Sequence, residues 1–179
     1  MLCVGFVGPV QAGGVKAESR CQLPEVKKPA SCQAAQQSVF LKALWKLIEE
    51  YEATILTDDT YPGLYAAVER YWAARSSKRL DVIEKLLPTT DDQQRSRRLE
   101  SQQEILAEED VVAYRICALQ TFERESTIQH LVFVRVLAVI DGRCFDDVVA
   151  MGWVSTDGEW QLEPSEPDRW RPLAEPIGP

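Results

Sequence analysis

Residues 111–162 decide the fold, and they read VVAYRICALQTFERESTIQHLVFVRVLAVIDGRCFDDVVAMGWVSTDGEWQL. Two Asp-Gly pairs, Asp141-Gly142 and Asp157-Gly158, each lie between runs rich in β-branched and aromatic residues. Asp-Gly is the strongest short-range signal for a two-residue hairpin, because both central residues of a type I′ turn need a positive φ. The stretch therefore predicts four strands in an antiparallel meander.

The two turns also predict which residues of these strands lie opposite each other. Two-residue loops pair Val136 with Asp147 and Trp153 with Leu162, and paired residues share one face of a sheet. The more apolar and aromatic face, which we expect to meet the helices, carries His130, Val132, Val134, Val136, Ala138, Ile140, Phe145, Asp147, Val149, Met151, Trp153, Trp160 and Leu162. The register of the first strand stays open, and so does the side on which Tyr114 lies.

Apolar residues at helical spacing predict helices before the sheet. One amphipathic helix is expected over residues 36–55. A second helix begins near Pro62 and carries Tyr71 and Trp72 on its apolar stripe. A short third helix and then a polar surface helix, which ends near Glu108, complete the first half. The fold class is therefore α+β, with N-terminal helices packed on a curved antiparallel sheet.

The chain of 179 residues fits one domain with extensions. We expect an irregular N-terminal segment over residues 1–35, whose beginning resembles a signal-peptide remnant. The α+β domain with an extra N-terminal helix is expected over residues 36–162, and a Pro-rich extended tail over residues 163–179. The net charge is −8, which argues against nucleic acid or an anionic membrane as the partner. No later stretch is long and apolar enough to span a membrane.

The N-terminus and the cysteines favour an exported protein. Leu2 begins an apolar run up to Val10 that resembles the end of a signal peptide, although a simple N-terminal tail remains the alternative. Cys21 and Cys32 flank a short irregular stretch and are expected to form a disulfide. Two further cysteines, Cys117 and Cys144, fall on the first and third strands, about 9–10 Å apart and too far to bond to each other. We expect those two to be buried thiols, and the protein to be secreted or periplasmic, with a cytoplasmic location as the alternative.

The order of these elements resembles the nuclear-transport-factor-2-like (NTF2-like, cystatin-related α+β) superfamily. The resemblance covers residues 61–162 and rests on AAVERYWAARSSKRLDVIEKLLP (66–88) and VAMGWVSTDGEWQL (149–162). It implies a cone in which the sheet wraps the helices around an apolar cavity. Members of that superfamily include isomerases, dehydratases and hydrolases as well as non-catalytic binding modules.

A candidate pocket follows from the face assignment and the resemblance together. Its residues are Tyr71, Trp72, His130, Asp147, Met151, Trp153 and Trp160. No catalytic residue and no cofactor is assigned. No metal site is assigned either, because a single histidine and the absence of C-x-x-C spacing exclude the usual zinc motifs. Asp147 and His130 lie too far apart along the sheet to act together.

Two functions remain open at this point. The first is a non-catalytic module that binds an apolar small molecule or a protein partner, with no nucleic acid and no membrane span. Arg135 together with Phe133 and Leu137 on the second sheet face predicts a covered surface, and hence a homodimer through the sheet. The alternative is a small-molecule isomerase, dehydratase or hydrolase that uses an acidic residue in the cavity.

Overall fold

The computed structural model describes residues 21–32, 61, 63–88, 92–124 and 127–163, and within them the protein is α+β. The helices are α1 (Leu64–Ser76), α2 (Leu80–Glu84) and α3 (Asp92–Glu108), and the strands are β1 (Glu109–Arg124), β2 (Thr127–Ile140), β3 (Arg143–Thr156) and β4 (Glu159–Leu162). The predicted helix at 36–55, the apolar run at 2–10 and the tail beyond residue 163 lie outside the described residues. No helix of the described part is long and apolar enough to cross a membrane.

The four strands form one antiparallel sheet in the order β1-β2-β3-β4. Asp141 and Asp157 have φ angles of 51° and 53°, and the glycine after each also has a positive φ. Both Asp-Gly pairs are thus two-residue turns of the predicted kind. The register follows from them, with Val136 opposite Asp147 and Trp153 opposite Leu162. The predicted pairing of β2, β3 and β4 is confirmed.

Strand β1 contains two irregularities that the sequence did not reveal. The register with β2 shifts between Val111 and Ala113 and again between Ile116 and Ala118. Each shift inserts one extra residue, as a β-bulge does, so that Cys117 joins Ala118 opposite Phe133 on the sheet face away from the helices. Tyr114 lies opposite Val136, which places it on the helix side.

The core lies between the helices and the predicted inner face of the sheet. Helix α1 is rich in alanine and buries the expected apolar stripe, and Trp72 and Trp153 have no exposed surface. The polar helix α3 buries only Gln102 and Leu106. The backbone N–H of Leu162 donates to the carbonyl of Leu86 (2.8 Å), which joins β4 to the turn after α2.

The outer face of the sheet is covered by the chain itself. Residues 21–32, hereafter the strap, cross this face and are joined to it by two disulfides, Cys21–Cys117 and Cys32–Cys144, each with its Cα atoms 5.0 Å apart. Leu23 of the strap packs near Leu137. The strap ends in a short 3₁₀ helix, Ala30–Cys32, and its two disulfides join it to the sheet.

The strap corrects two expectations about the cysteines. Cys21 and Cys32 do not bond to each other, and Cys117 and Cys144 are not free thiols, because each strand cysteine pairs with a strap cysteine. The spacing of the strands correctly excludes a Cys117–Cys144 disulfide, but the strap over the sheet supplies a different partner for each of these cysteines. Arg135 forms a bidentate ion pair with Asp146 and donates to the carbonyl of Cys21 (3.0 Å). The strap thus covers the sheet surface for which a covering partner was expected, and the homodimer stays a prediction.

Gly152 of β3 lies opposite Glu163, the first residue after β4, and offers a test of the packing between these two residues. The N–H of Glu163 donates to its carbonyl (2.8 Å), and a Cβ at position 152 would come within 2.9 Å of the Glu163 Cβ. We expect Gly152→Ala to lower the free energy of unfolding by about 1–3 kcal/mol, since the backbone must shift to relieve this overlap. Urea unfolding measures the loss. Gly158→Ala is unsuitable as a control because its φ is positive, but Ser155→Ala, at an exposed position of the same strand, should change stability by less than about 0.5 kcal/mol.

Candidate functional site

The most unusual feature of the interior is a buried ion pair between α1 and β1. The guanidinium of Arg75 donates to the Glu109 carboxylate, and the two side chains are only 4% and 3% exposed. Glu109 is the first residue of β1, directly after α3 ends, so the helix–strand junction fixes its position. A buried charge is tolerated only when it is paired and hydrogen-bonded, so this pair requires close geometry.

Aromatic and amide groups extend the pair into a network. Arg75 Nη1 donates to the Tyr71 hydroxyl (3.1 Å), which in turn donates to Gln102 Oε1 on α3 (3.2 Å). The guanidinium also lies 5.0 Å from the centre of the Trp72 ring, a cation–π contact. Residues of α1, α3 and β1 are therefore held together around one cation.

Burial sets the electrostatics of the pair. Desolvation raises the pKa of Glu109, and the neighbouring Arg75 offsets only part of that effect. For Arg75, desolvation alone would lower the pKa, but Tyr71 and Glu109 outweigh it and the pKa is raised. Arg75 stays charged, while Glu109 is the interior group that gains affinity for a proton.

Some buried polar atoms around this network have no hydrogen-bond partner among the residues that the structure describes. They include Glu109 Oε1 and the indole nitrogens of Trp72 and Trp153. Trp153 reaches the cluster through Tyr71, since their ring centres are 6.3 Å apart at nearly a right angle. A carboxylate oxygen with a raised pKa could accept or donate a proton, but the Glu109 side chain is almost completely buried.

The structure divides the predicted pocket residues among three places. Tyr71, Trp72 and Trp153 pack in the interior with the Arg75 network, and buried Met151 belongs to the same hydrophobic cluster. His130 and Trp160 form a second aromatic group. Asp147 lies on β3, away from both.

The second group surrounds the single histidine. The His130 ring has its centre 5.0 Å from that of Tyr61 and 5.1 Å from that of Trp160, and its Nδ1 lies 3.0 Å from the Thr121 hydroxyl. His130 is 6% exposed, and desolvation lowers its pKa. The neutral imidazole is the form that fits this aromatic surrounding.

The lowered pKa predicts a pH dependence of stability. In the unfolded chain His130 protonates near pH 6.5, whereas the folded protein resists protonation, so stability is complete above that pH and falls as the pH drops through the folded-state pKa. We expect the melting temperature of wild type to drop between pH 7.5 and 5 by about 2–4 °C more than that of His130→Gln. Calorimetry on both proteins measures this difference, and parallel curves would contradict the prediction.

Asp147 occupies the position predicted for it, but not a catalytic setting. It is half-buried opposite Val136, and its Oδ1 accepts the backbone N–H of Val148 (2.8 Å). His130 lies six positions further along β2, roughly 20 Å away by strand rise. The expectation that the two residues do not act together is thus in agreement with the register.

The predicted site residues do not include Arg75, Gln102 or Glu109. A signal existed for Arg75, because it follows Tyr71 by four residues and Trp72 by three, which places it on the buried stripe of α1. Glu109 carried no such signal, since it follows another glutamate at the end of a polar helix. Within the described residues no cluster of three His, Cys, Asp or Glu side chains could hold a metal ion.

Comparison with known proteins leaves the family open. No family model and no curated protein matches the chain. The chain is similar to the solution structure of a SEC-C motif containing protein from Rhodopseudomonas palustris, with 17% identity and a TM-score of 0.41 over 54% of this chain and 72% of that one. A likeness at this level supports no statement about activity.

The expected resemblance to the NTF2-like superfamily is wrong. Nothing in the comparisons points to that superfamily. The described sheet is a sequential four-stranded meander, and the cone is not confirmed. The physical reason for the wrong resemblance is that its motifs are local. The alanine-rich stretch specifies a helix and the Asp-Gly pairs specify hairpins, and many α+β folds share these elements. Neither motif specifies how strongly the sheet curves around the helices.

Proposed function

We propose that this chain is an exported, non-catalytic module that binds a protein partner. The observation that carries the proposal is the pair of disulfides that fasten the strap over the outer sheet face. Disulfides of this kind persist in oxidising compartments and are rare where glutathione keeps thiols reduced. They stabilise a small domain outside the cell rather than take part in chemistry.

The packing of the interior favours a protein partner bound at the surface over a small molecule bound inside the domain. The rings of Tyr71, Trp72 and Trp153 are buried beneath the sheet, and Tyr71 contacts both indoles, so an apolar small molecule would have to displace packed side chains. The acid best suited to proton transfer, Glu109, is ion-paired and 3% exposed. A protein partner on the outside fits this arrangement better than a ligand within it.

Two measurements test the proposal in the source cells. Labelling of intact cells with a bulky maleimide should leave Cys21, Cys32, Cys117 and Cys144 unmodified until a reductant is added. Crosslinking of the oxidised protein in the extracytoplasmic fraction should then yield one partner that binds the purified chain saturably. Rapid labelling of all four thiols in freshly opened cells, together with the absence of a saturable partner, would contradict the proposal.

A small-molecule isomerase, dehydratase or hydrolase is the second candidate, and one observation favours it. Burial raises the pKa of Glu109, and its Oε1 has no hydrogen-bond partner within the described part of the chain; raised pKa values of this kind are common among general acids. If the protein is such an enzyme, Glu109→Gln should lose turnover. If it is a non-catalytic binding module, the same variant should still bind its protein partner. Assay of the partner complex and of turnover on the same variant separates the two functions.

A further inference from the structure

The middle of the strap projects from the sheet as a loop. Leu23 and Cys32 both pack in the apolar cluster around Leu137, so the chain leaves the outer face and returns to the same cluster. Every residue from 24 to 31, hereafter the arch, has an exposed side chain. The arch is thus an exposed segment whose two ends are held by the folded domain.

Disulfides and prolines restrict the conformational freedom of the arch. The Cys21–Cys117 bridge fixes the chain before it, and the Cys32–Cys144 bridge fixes the chain after it. Pro24 and Pro29 each fix a φ angle, and the residue before each proline is restricted to extended conformations. A partner that binds the arch therefore immobilises little additional chain, which is the condition under which a short segment binds tightly.

Two adjacent lysines occupy the middle of the arch, in the sequence PEVKKP (24–29). Both side chains are exposed, and neither forms an ion pair with any residue that the structure describes. The segment lies outside the helices and strands, and exposed segments of this kind are the ones that endopeptidases accept. A lysine fits those serine endopeptidases whose pocket for the residue before the scissile bond contains a carboxylate.

Lys27 is better placed than Lys28 to enter such a pocket. The bond after Lys28 leads to Pro29, so it is a tertiary amide without an N–H and with a ring on the leaving nitrogen. The bond between Lys27 and Lys28 is an ordinary secondary amide. The arch therefore presents one suitable bond, with Lys27 before it.

Cleavage of this bond would release neither piece of the chain. Hydrolysis adds one water molecule and leaves a carboxylate at Lys27 and an ammonium group at Lys28. The two disulfides keep both new ends attached to the same sheet. The reverse reaction, which expels that water, is then intramolecular and benefits from a high effective concentration. The enzyme therefore stays bound to a segment that it cannot disperse.

We propose that the arch binds in the active-site cleft of a serine endopeptidase with an acidic specificity pocket, that Lys27 occupies this pocket, and that the protein inhibits the enzyme. The inference rests on the proposed function, because it names the class of protein partner that the exported module binds. An acidic protein that only pairs with surface lysines is a poorer partner, since it would not distinguish Lys27 from Lys28.

Inhibition of trypsin by the purified, oxidised chain tests the inference, because trypsin has a specificity pocket of this kind. We expect competitive, saturable inhibition of its activity on a small lysine amide. Lys27→Ala should weaken the inhibition by about 100-fold or more, and Lys27→Arg should preserve it. Lys28→Ala should change the inhibition by less than about threefold, and so should Lys85→Ala, at an exposed lysine outside the strap.

Peptide mapping follows the bond itself. After long incubation with trypsin, part of the protein should be cut between Lys27 and Lys28, and the two pieces should separate only after reduction. The inference is overturned by a lack of inhibition at micromolar protein, by equal inhibition from wild type and Lys27→Ala, or by rapid, complete cleavage with full return of trypsin activity, which marks an ordinary substrate. A crosslinked partner from the source cells that binds Lys27→Ala as tightly as wild type would overturn this inference and leave the proposed function intact.

Discussion

Removal of both disulfides should lower the free energy of unfolding by about 8–9 kcal/mol in the chain-entropy model, which is enough to unfold a domain of ordinary stability. The reason is the length of chain that each bridge closes. Cys21 and Cys117 are 96 residues apart, and Cys32 and Cys144 are 112 apart. Without the bridges the unfolded chain regains the freedom that these loops deny it, while the folded state changes little.

The two bridges should not contribute independently. When one is present, the other closes an effective loop of only about 38 residues, because the 11 residues from Cys21 to Cys32 and the 27 from Cys117 to Cys144 are already connected. The loss from removing either pair alone is therefore expected at about 4 kcal/mol, so the double removal should exceed the sum of the two single losses by about 1 kcal/mol.

Guanidinium unfolding of three variants measures these losses: Cys21→Ala with Cys117→Ala, Cys32→Ala with Cys144→Ala, and all four together. Non-reducing peptide mapping of wild type supplies the control, and it should recover the Cys21–Cys117 and Cys32–Cys144 crosslinks. A Cys21–Cys32 crosslink would contradict the structure, and single losses below about 1 kcal/mol would contradict the entropic argument.

The parts of the fold that could be predicted from sequence are those with a local cause. Asp141-Gly142 and Asp157-Gly158 each require a positive φ over two adjacent residues, so the turns and the register beyond them follow from four residues. Strand β1 has no such anchor. Its register with β2 shifts at two bulges that no turn motif marks, and Cys117 lies at the second of them, on the outer face.

The disulfides and the buried ion pair could not be predicted because their causes are not local. Cys21 meets Cys117 only after the whole domain has folded beneath the strap. Glu109 is surrounded by glutamates and aspartates that face solvent, and only its junction position turns it inward towards Arg75. Charge alone predicts that Arg75 and Glu109 both lie at the surface. The sequence therefore did not indicate the candidate site, because the burial of these two residues depends on contacts between distant parts of the chain.

Replacement of Arg75 by methionine should cost about 3–5 kcal/mol, the second large effect expected for this protein. Methionine keeps an apolar stem against Trp72 but removes the charge and the donors to Tyr71 and Glu109. Glu109 is then left in the interior with no counter-charge, and it must either hold a proton or draw in water. Urea unfolding at pH 7 measures the loss.

A neighbouring pair provides a matched control for the same helix–strand junction. Lys78 and Asp110 lie three and one positions further along the chain than Arg75 and Glu109, and they form an ion pair with 47% and 69% exposure. Lys78→Met should therefore lower stability by less than about 1 kcal/mol, because water already solvates both charges. An equal loss in Lys78→Met and Arg75→Met would show that burial is not the cause.

The double variant Arg75→Met with Glu109→Leu separates a need for the ion pair from a need to avoid an unpaired charge. Replacing both partners by apolar residues of similar volume is often neutral or stabilising, whereas removing one leaves the full desolvation penalty of the other. We expect the double variant to recover at least about half of the loss of Arg75→Met. If it does, the pair is not required for stability, and its retention at the centre of the interior must have another cause, such as fixing the mutual position of α1, α3 and β1. If it recovers nothing, the hydrogen bonds from Arg75 to Tyr71 and onward to Gln102 are what hold these elements together.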